Sequence, residues 1–152
     1  EYDKTYYAIV CGKFPHNMLL DKPIGSDKKS KIRVKMACTS DGRDSSTFAE
    51  IINSKDNFTL LKLTPHTGRQ HQIRVHLADC GFSILGDPIY NADEEFADRY
   101  LNKEITKDER IQTTGDSRMW LHSANLSFSY RGINYFFKSN SQDIFEKFAS
   151  LG

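Results

Sequence analysis

Apolar and polar residues alternate at strand spacing through much of this chain and turn to helical spacing in only a few places. Lys4 to Gly12 is rich in β-branched and aromatic residues and stops at glycine, which predicts a strand. Leu19 to Ile24, carrying Pro23, predicts a short extended piece. Ile32, Val34 and Met36 alternate with Arg33 and Lys35, which predicts a half-buried strand over 32–38 with a basic outer face. Segments 46–53 and 58–64 predict a hairpin across Ser54-Lys55-Asp56-Asn57. Segments 120–130 and 133–138 predict another, turning at Arg131-Gly132.

Helical spacing is clearest over 68–80. Ile73, Leu77 and Cys80 form one apolar stripe there, and Gly81 supplies the stop. Thr67-Gly68-Arg69-Gln70 fits a capping box, with Thr67 as N-cap and Gln70 reaching back. Residues 93–101 predict a short helix. Residues 143–151 predict another, with Ile144, Phe148 and Leu151 on one face. Thr39 to Arg43 reads as a turn and Phe82 to Tyr90 as a compact loop around Gly86-Asp87-Pro88. Ser26 to Lys31 and Ile105 to Ser117 are polar and predict loops, the latter an insertion. Strands outnumber helices and no repeat or linker divides the chain. The expected class is therefore α+β: one domain over 1–152, with a largely antiparallel mixed sheet and few helices.

Composition adds bounds. The 152 residues suffice for one core, and the formal net charge of +1 argues neither for nor against nucleic acid. No apolar run approaches the roughly 20 residues of a membrane span. Cys11, Cys38 and Cys80 are odd in number and unpaired in spacing, as expected of reduced thiols in a cytoplasmic protein. The first residue is Glu, not Met, so the chain is expected to begin inside a longer gene product.

The candidate chemistry gathers in Leu61 to Asn91. Arg69 and Arg74 lie where a helix start favours anions, so a phosphate or a carboxylate is a natural ligand; solvated surface charge is the alternative. His71 and His76 lie roughly 140° apart around a helix, which is wrong for a shared metal. Hydrogen bonds to neighbouring loops are their expected role. Tyr6 and Tyr7 must face opposite sides of a strand; on pattern alone packing roles for both are the favoured reading, and stacking of one on a base is the alternative. Asp87, before Pro88, reads as a turn former rather than a catalyst.

The order of these residues resembles the RluA-type RNA pseudouridine synthases. Pro65-His66-Thr67-Gly68-Arg69-Gln70-His71-Gln72-Ile73-Arg74-Val75-His76 is similar, without mismatch, to the family's Pro-x-Thr-Gly-Arg-x-His-Gln-Ile-Arg-x-His. Ser83-Ile84-Leu85-Gly86-Asp87-Pro88-Ile89-Tyr90 resembles Pro-Ile-x-Gly-Asp-x-x-Tyr, with Ser for Pro. Lys4-x-Tyr6-x-Ala8-x-Val10-x-Gly12 resembles the family's strand of that pattern. Gly42 to Thr47 and Arg118 to Phe128 resemble two further motifs, Gly-Lys-x-Ala-x-Thr and Arg-x-x-Leu-His-Ala-x-x-Leu-x-Phe.

The resemblance implies an enzyme that flips a uridine from ribosomal or transfer RNA, breaks its bond to nitrogen and rejoins the ring through carbon, without metal or cofactor. It implies an Asp nucleophile in an Arg-Leu-Asp-x-x-Thr-Ser-Gly context, which does not occur in these 152 residues. The chain would then be the C-terminal part of a catalytic domain, inactive alone, whose partners are RNA and the N-terminal part of the same protein. The family also implies that Arg74 pairs with that Asp and that Tyr6 stacks on the uracil. Ile73 and Leu121 would wall the base pocket, while Arg69, Gln72, His71 and His76 order the motif or contact phosphate. Arg74 is expected to have no carboxylate partner within the chain, and Arg74→Ala to leave its stability nearly unchanged. A noncatalytic RNA-binding module is the alternative; a phosphoester-processing enzyme using His71 or His76 is weaker, since neither metal spacing nor a nucleophile accompanies them.

Overall fold

The alternation in the first strand decides the architecture, because its two sets of side chains enter two different cores. The computed structural model describes residues 2–152. Its strands are β1 (Tyr2–Cys11), β2 (Met18–Leu20), β3 (Ile24–Ser26), β4 (Met36–Cys38), β5 (Thr47–Ser54), β6 (Phe58–Pro65), β7 (Leu121–Tyr130) and β8 (Ile133–Lys138). Its helices are α1 (Gln72–Asp79), α2 (Glu94–Leu101), α3 (Lys107–Thr114) and α4 (Gln142–Ser150). A six-stranded antiparallel sheet runs β2-β5-β6-β1-β7-β8, and β3-β4 form a separate pair. The class is α+β, as the pattern of elements predicts.

Tyr6, Ala8 and Val10 of β1 face one side, where Leu61, Leu63, Ile84 and the α1 stripe of Ile73 and Leu77 close a core. Tyr7, Ile9 and Cys11 face the other, against Trp120 and the α4 residues Ile144 and Phe148. Helices α1 and α4 thus cover opposite faces of the sheet, and the two tyrosines part as a strand requires. The β1–β7 register shifts between Thr5 and Tyr6, leaving Ala124 without a partner across the pair. Such a bulge bends the strand locally, and it sits beside Tyr6.

Three expectations are corrected. Residues 32–38 are not one strand. Ile32 is buried with Ile89 and Ala97, the Lys35 amide donates to the Ile32 carbonyl, and only Met36–Cys38 is extended. The alternation there was a turn with one anchored apolar residue. The segment 105–117 is not a bare loop. Thr106 caps α3 by accepting from the Glu109 amide at 3.1 Å, Asp108 and Glu109 suit the helix start, and Gly115 ends it at φ 93°. A short helix burying almost only Thr114 leaves no apolar stripe to read. Finally, α1 starts at Gln72, four residues after the expected start at Gly68, so Arg69 and His71 precede it.

Candidate active site

Thr67 does not cap α1, because its hydroxyl goes elsewhere. It donates to Gln72 Oε1 at 2.6 Å and accepts from the Ser46 amide at 3.1 Å. Gln72 Oε1 also accepts from the Arg69 amide at 3.0 Å. Its Nε2 donates to the Ser46 carbonyl and the Thr47 hydroxyl, both at 2.9 Å. One buried amide side chain therefore ties the loop 65–71 to the start of β5. Gln70 does not reach back; its Nε2 donates to the Val34 carbonyl at 2.9 Å.

The chain enters α1 through His71, whose φ of 55° is left-handed and unusual for a residue with a side chain. The side chain is anchored in compensation: His71 Nδ1 shares a 2.7 Å hydrogen bond with the Tyr90 hydroxyl, whose oxygen accepts from the Met36 amide at 2.9 Å. Burial, helped by the nearby Arg74 charge, pushes His71 below its ordinary value and favours the neutral ring. Burial pushes Tyr90 up to about 12, so its hydroxyl stays protonated.

Arg74 lies one turn further along α1. Its Nε donates to Asp87 Oδ2 and its Nη2 to Asp87 Oδ1, each at 2.8 Å, and its guanidinium lies 5.0 Å from the Tyr90 ring centre. Asp87 is 0% exposed and Arg74 13%. Asp87 Oδ1 also accepts from the Ile89 and Tyr90 amides at 2.9 and 3.1 Å. The expectation that Arg74 lacks a carboxylate within the chain is therefore overturned. Asp87 is indeed a turn former, and the same oxygens that close its turn hold the arginine. Gly86 makes this possible: its φ is 84°, and a Cβ there would fall 1.7 Å from the Arg118 carbonyl oxygen. The unexpected helix α3 supports the turn, with the Gly86 amide donating to the Thr114 carbonyl at 2.8 Å.

These elements enclose a cavity of about 230 Å³ between β1, the loop before α1, α1 itself and β7. Lys4 and Tyr6 contribute from β1 and Leu121 from β7. Pro65, Thr67, Gly68, Arg69 and His71 line it from the loop, with Gln72, Ile73 and Arg74 from α1. Tyr6, Arg69, His71, Gln72, Ile73, Arg74 and Leu121 of the expected site are thus brought together. Arg69 also donates through Nε to the Asp44 carbonyl at 2.9 Å. Among the described residues, no acidic side chain lines the cavity.

His76 is not brought to this cavity. It is buried on the other side of α1, where Nε2 donates to the Lys22 carbonyl at 2.9 Å and Nδ1 meets the Thr47 hydroxyl at 3.0 Å. A carbonyl only accepts, so Nε2 carries the proton and Nδ1 accepts from Thr47. Burial pushes His76 below its ordinary value, in keeping with that neutral form. Both histidines bond to neighbouring segments, as spacing suggested. Among the described residues, no group of three or more His, Cys, Asp or Glu could hold a metal. Nor is any helix there long and apolar enough to cross a membrane.

A family model described as RNA pseudouridylate synthase matches residues 1–79, from β1 through α1. The chain belongs to the RNA pseudouridylate synthase family. An uncharacterized RNA pseudouridine synthase of Helicobacter pylori is 31% identical over 136 residues, covering 87% of this chain and 44% of that protein. The dual-specificity RNA pseudouridine synthase RluA of Vibrio cholerae is 38% identical over 99 residues, covering 63% of this chain and 40% of its own length, in line with the RluA type read from the motifs. The fold is that of human RNA pseudouridylate synthase domain containing 1, with a TM-score of 0.70 and 22% identity over 92% of this chain and 55% of that one. The chain spans less than half the length of these curated relatives.

Asp87 and Tyr90 are the residues that sequence reasoning undervalued in this chain. Their signal was present as the Gly-Asp-x-x-Tyr motif, but nothing in the order of residues says that it closes on Arg74. The strand pattern alone does not mark Lys4, which lines the cavity with Tyr6.

Proposed function

We propose that this chain supplies the arginine and tyrosine side of an active site that converts a uridine of ribosomal or transfer RNA to pseudouridine, as part of a longer cytoplasmic protein. The observation that carries the reading is the joining of Tyr6, Ile73, Arg74 and Leu121 around one cavity of about 230 Å³. That is smaller than the roughly 300–1,000 Å³ of drug-sized sites and suits a single flipped base. Ile73 and Leu121 wall the base, while Tyr6 stacks on it near C5. Lys4 and Arg69 at the rim attract the flanking phosphates. Gln72 and His71 hold the loop in shape.

The isomerisation breaks the bond from N1 to the sugar and forms one from C5; C5 loses its proton and N1 gains one. Arg74 stabilises a carboxylate nucleophile, and an opposite charge or a hydrogen-bond donor beside a carboxylate keeps it ionised and reactive. The nucleophile in this reading is the Asp of the Arg-Leu-Asp context that the family resemblance implies, supplied from outside these residues. No metal or cofactor enters this scheme.

The test is nucleoside analysis by mass spectrometry and chromatography of RNA treated with the full-length protein. New pseudouridine is expected with the wild type, and a large loss with Tyr6→Ala. RNA binding without any new pseudouridine would favour the noncatalytic module instead.

A further inference from the structure

The Arg74–Asp87 pair is more than a neutralised buried charge, because of how Asp87 is itself held. Its carboxylate is fully buried and takes the Ile89 and Tyr90 amides on the same oxygen that takes Arg74 Nη2. The turn bearing it is held at Gly86, whose amide donates to the Thr114 carbonyl at 2.8 Å and whose Cα packs against the Arg118 carbonyl too closely to admit a Cβ. The carboxylate is therefore the fixed partner and the guanidinium the one that is placed. Asp87 grips the Nε side of Arg74 at two points, while the Tyr90 ring limits tilt. Arg74 still lines the cavity, and its Nη1 has no partner among the described residues.

We propose that Asp87 is a positioning residue, which holds the Arg74 guanidinium in one orientation so that Nη1 is the donor the cavity presents to the incoming nucleophile carboxylate. This rests on the function proposed above. Arg74 then bridges two carboxylates, one resident and one arriving, and its fork does not have to be ordered when the second arrives. Tyr90 belongs to the same device: its ring lies against the guanidinium and its hydroxyl fixes His71 at the cavity lip. The two motifs, one on each side of Gly81, work as a single clamp.

Two measurements test it. The first is side-chain ¹⁵N NMR of the wild-type chain. A slowly exchanging Arg74 Nε–H and separate Nη1 and Nη2 signals are expected. A single averaged Nη signal would show free rotation and overturn the clamp without any variant. The second is steady-state pseudouridine formation by the full-length protein. Asp87→Asn should lower kcat by about 10²-fold, the cost of an angstrom-scale misplacement, with KM for RNA within about twofold. Asp87→Glu restores the charge one methylene out of place and should stay below about a tenth of the wild-type kcat. This separates positioning from charge alone. If Asp87→Asn does not fold, the Glu variant and the wild-type spectrum carry the decision. An active wild type with an equally active Asp87→Asn would overturn this proposal and leave the function standing. A wild type that makes no pseudouridine would overturn the function, and this role with it.

Discussion

The two sides of the six-stranded sheet are finished differently. On the β2-β5-β6 side, α1 and its flanking loops cover one face of the sheet, and Leu19 and Ile52 are the large apolar residues of these strands that stay exposed. Buried Thr47, Gln72, His76 and Asp87 all have partners there. On the β7–β8 side, Tyr130, Ile133 and Phe137 are each 56% exposed and Phe136 is 68% exposed. What separates them is a second layer: α1 covers the sheet where the candidate site is built, while the far end of β7 and β8 is open. Closure makes a buried ion pair and a buried histidine costly, and the partners of Asp87 and His76 are what make them tolerable there.

The contrast predicts a gradient of sensitivity. The largest effect is expected at the ion pair. Arg74→Ala strands a fully buried carboxylate and should cost this chain about 3–5 kcal/mol, read by urea unfolding. A change under about 0.5 kcal/mol, as the bare resemblance suggested, would mean that the pair does not form in solution. Next is Leu77→Ala under α1, expected to cost about 2–5 kcal/mol. An equal loss at exposed Phe136 would erase the contrast between the two sides.

A smaller effect concerns pH. His76 and His71 both titrate below the ordinary 6.5 in the folded chain. Their contribution is thus fully present above that value and is lost as pH falls through it toward the folded values. The thermal midpoint should drop between about pH 7 and pH 5.5. His76→Gln should flatten that drop while lowering the midpoint at neutral pH. An unchanged slope would assign the drop elsewhere. The smallest effect is at the open end. Phe136→Lys should change stability by less than about 0.5 kcal/mol yet reduce self-association, read by light scattering, because exposed apolar strand edges invite pairing.

Much of this was legible in the order of residues. The β1 alternation, both hairpins and the α1 stripe were readable because each has a strict period and a glycine or polar stop. The cavity residues were readable because the motif fixes their spacing. Less legible was whatever depends on a partner distant in sequence. Thr67 has the chemistry of an N-cap, yet Gln72 and Ser46 claim it, and the helix starts later. Val34 sits at strand spacing, but Ile32 is drawn into a small cluster with Ile89 and Ala97. Arg74 carries no mark that Asp87 will meet it, since a Gly-Asp-Pro turn serves equally well with nothing bound. His76 shares the motif with His71 but lies on the other side of α1, so motif membership overstated its place at the site.

In the proposed function the cavity between β1 and α1 is half of a uridine-isomerising site, completed by a carboxylate from outside these residues. Release of tritium from RNA labelled at uridine C5 tests it most directly, because that hydrogen leaves when the ring rejoins through C5. The full-length protein should release it, this chain alone should release none, and Arg74→Ala in the full-length protein should release none while still folded. Release by the chain alone, or by folded Arg74→Ala at the wild-type rate, would contradict the account.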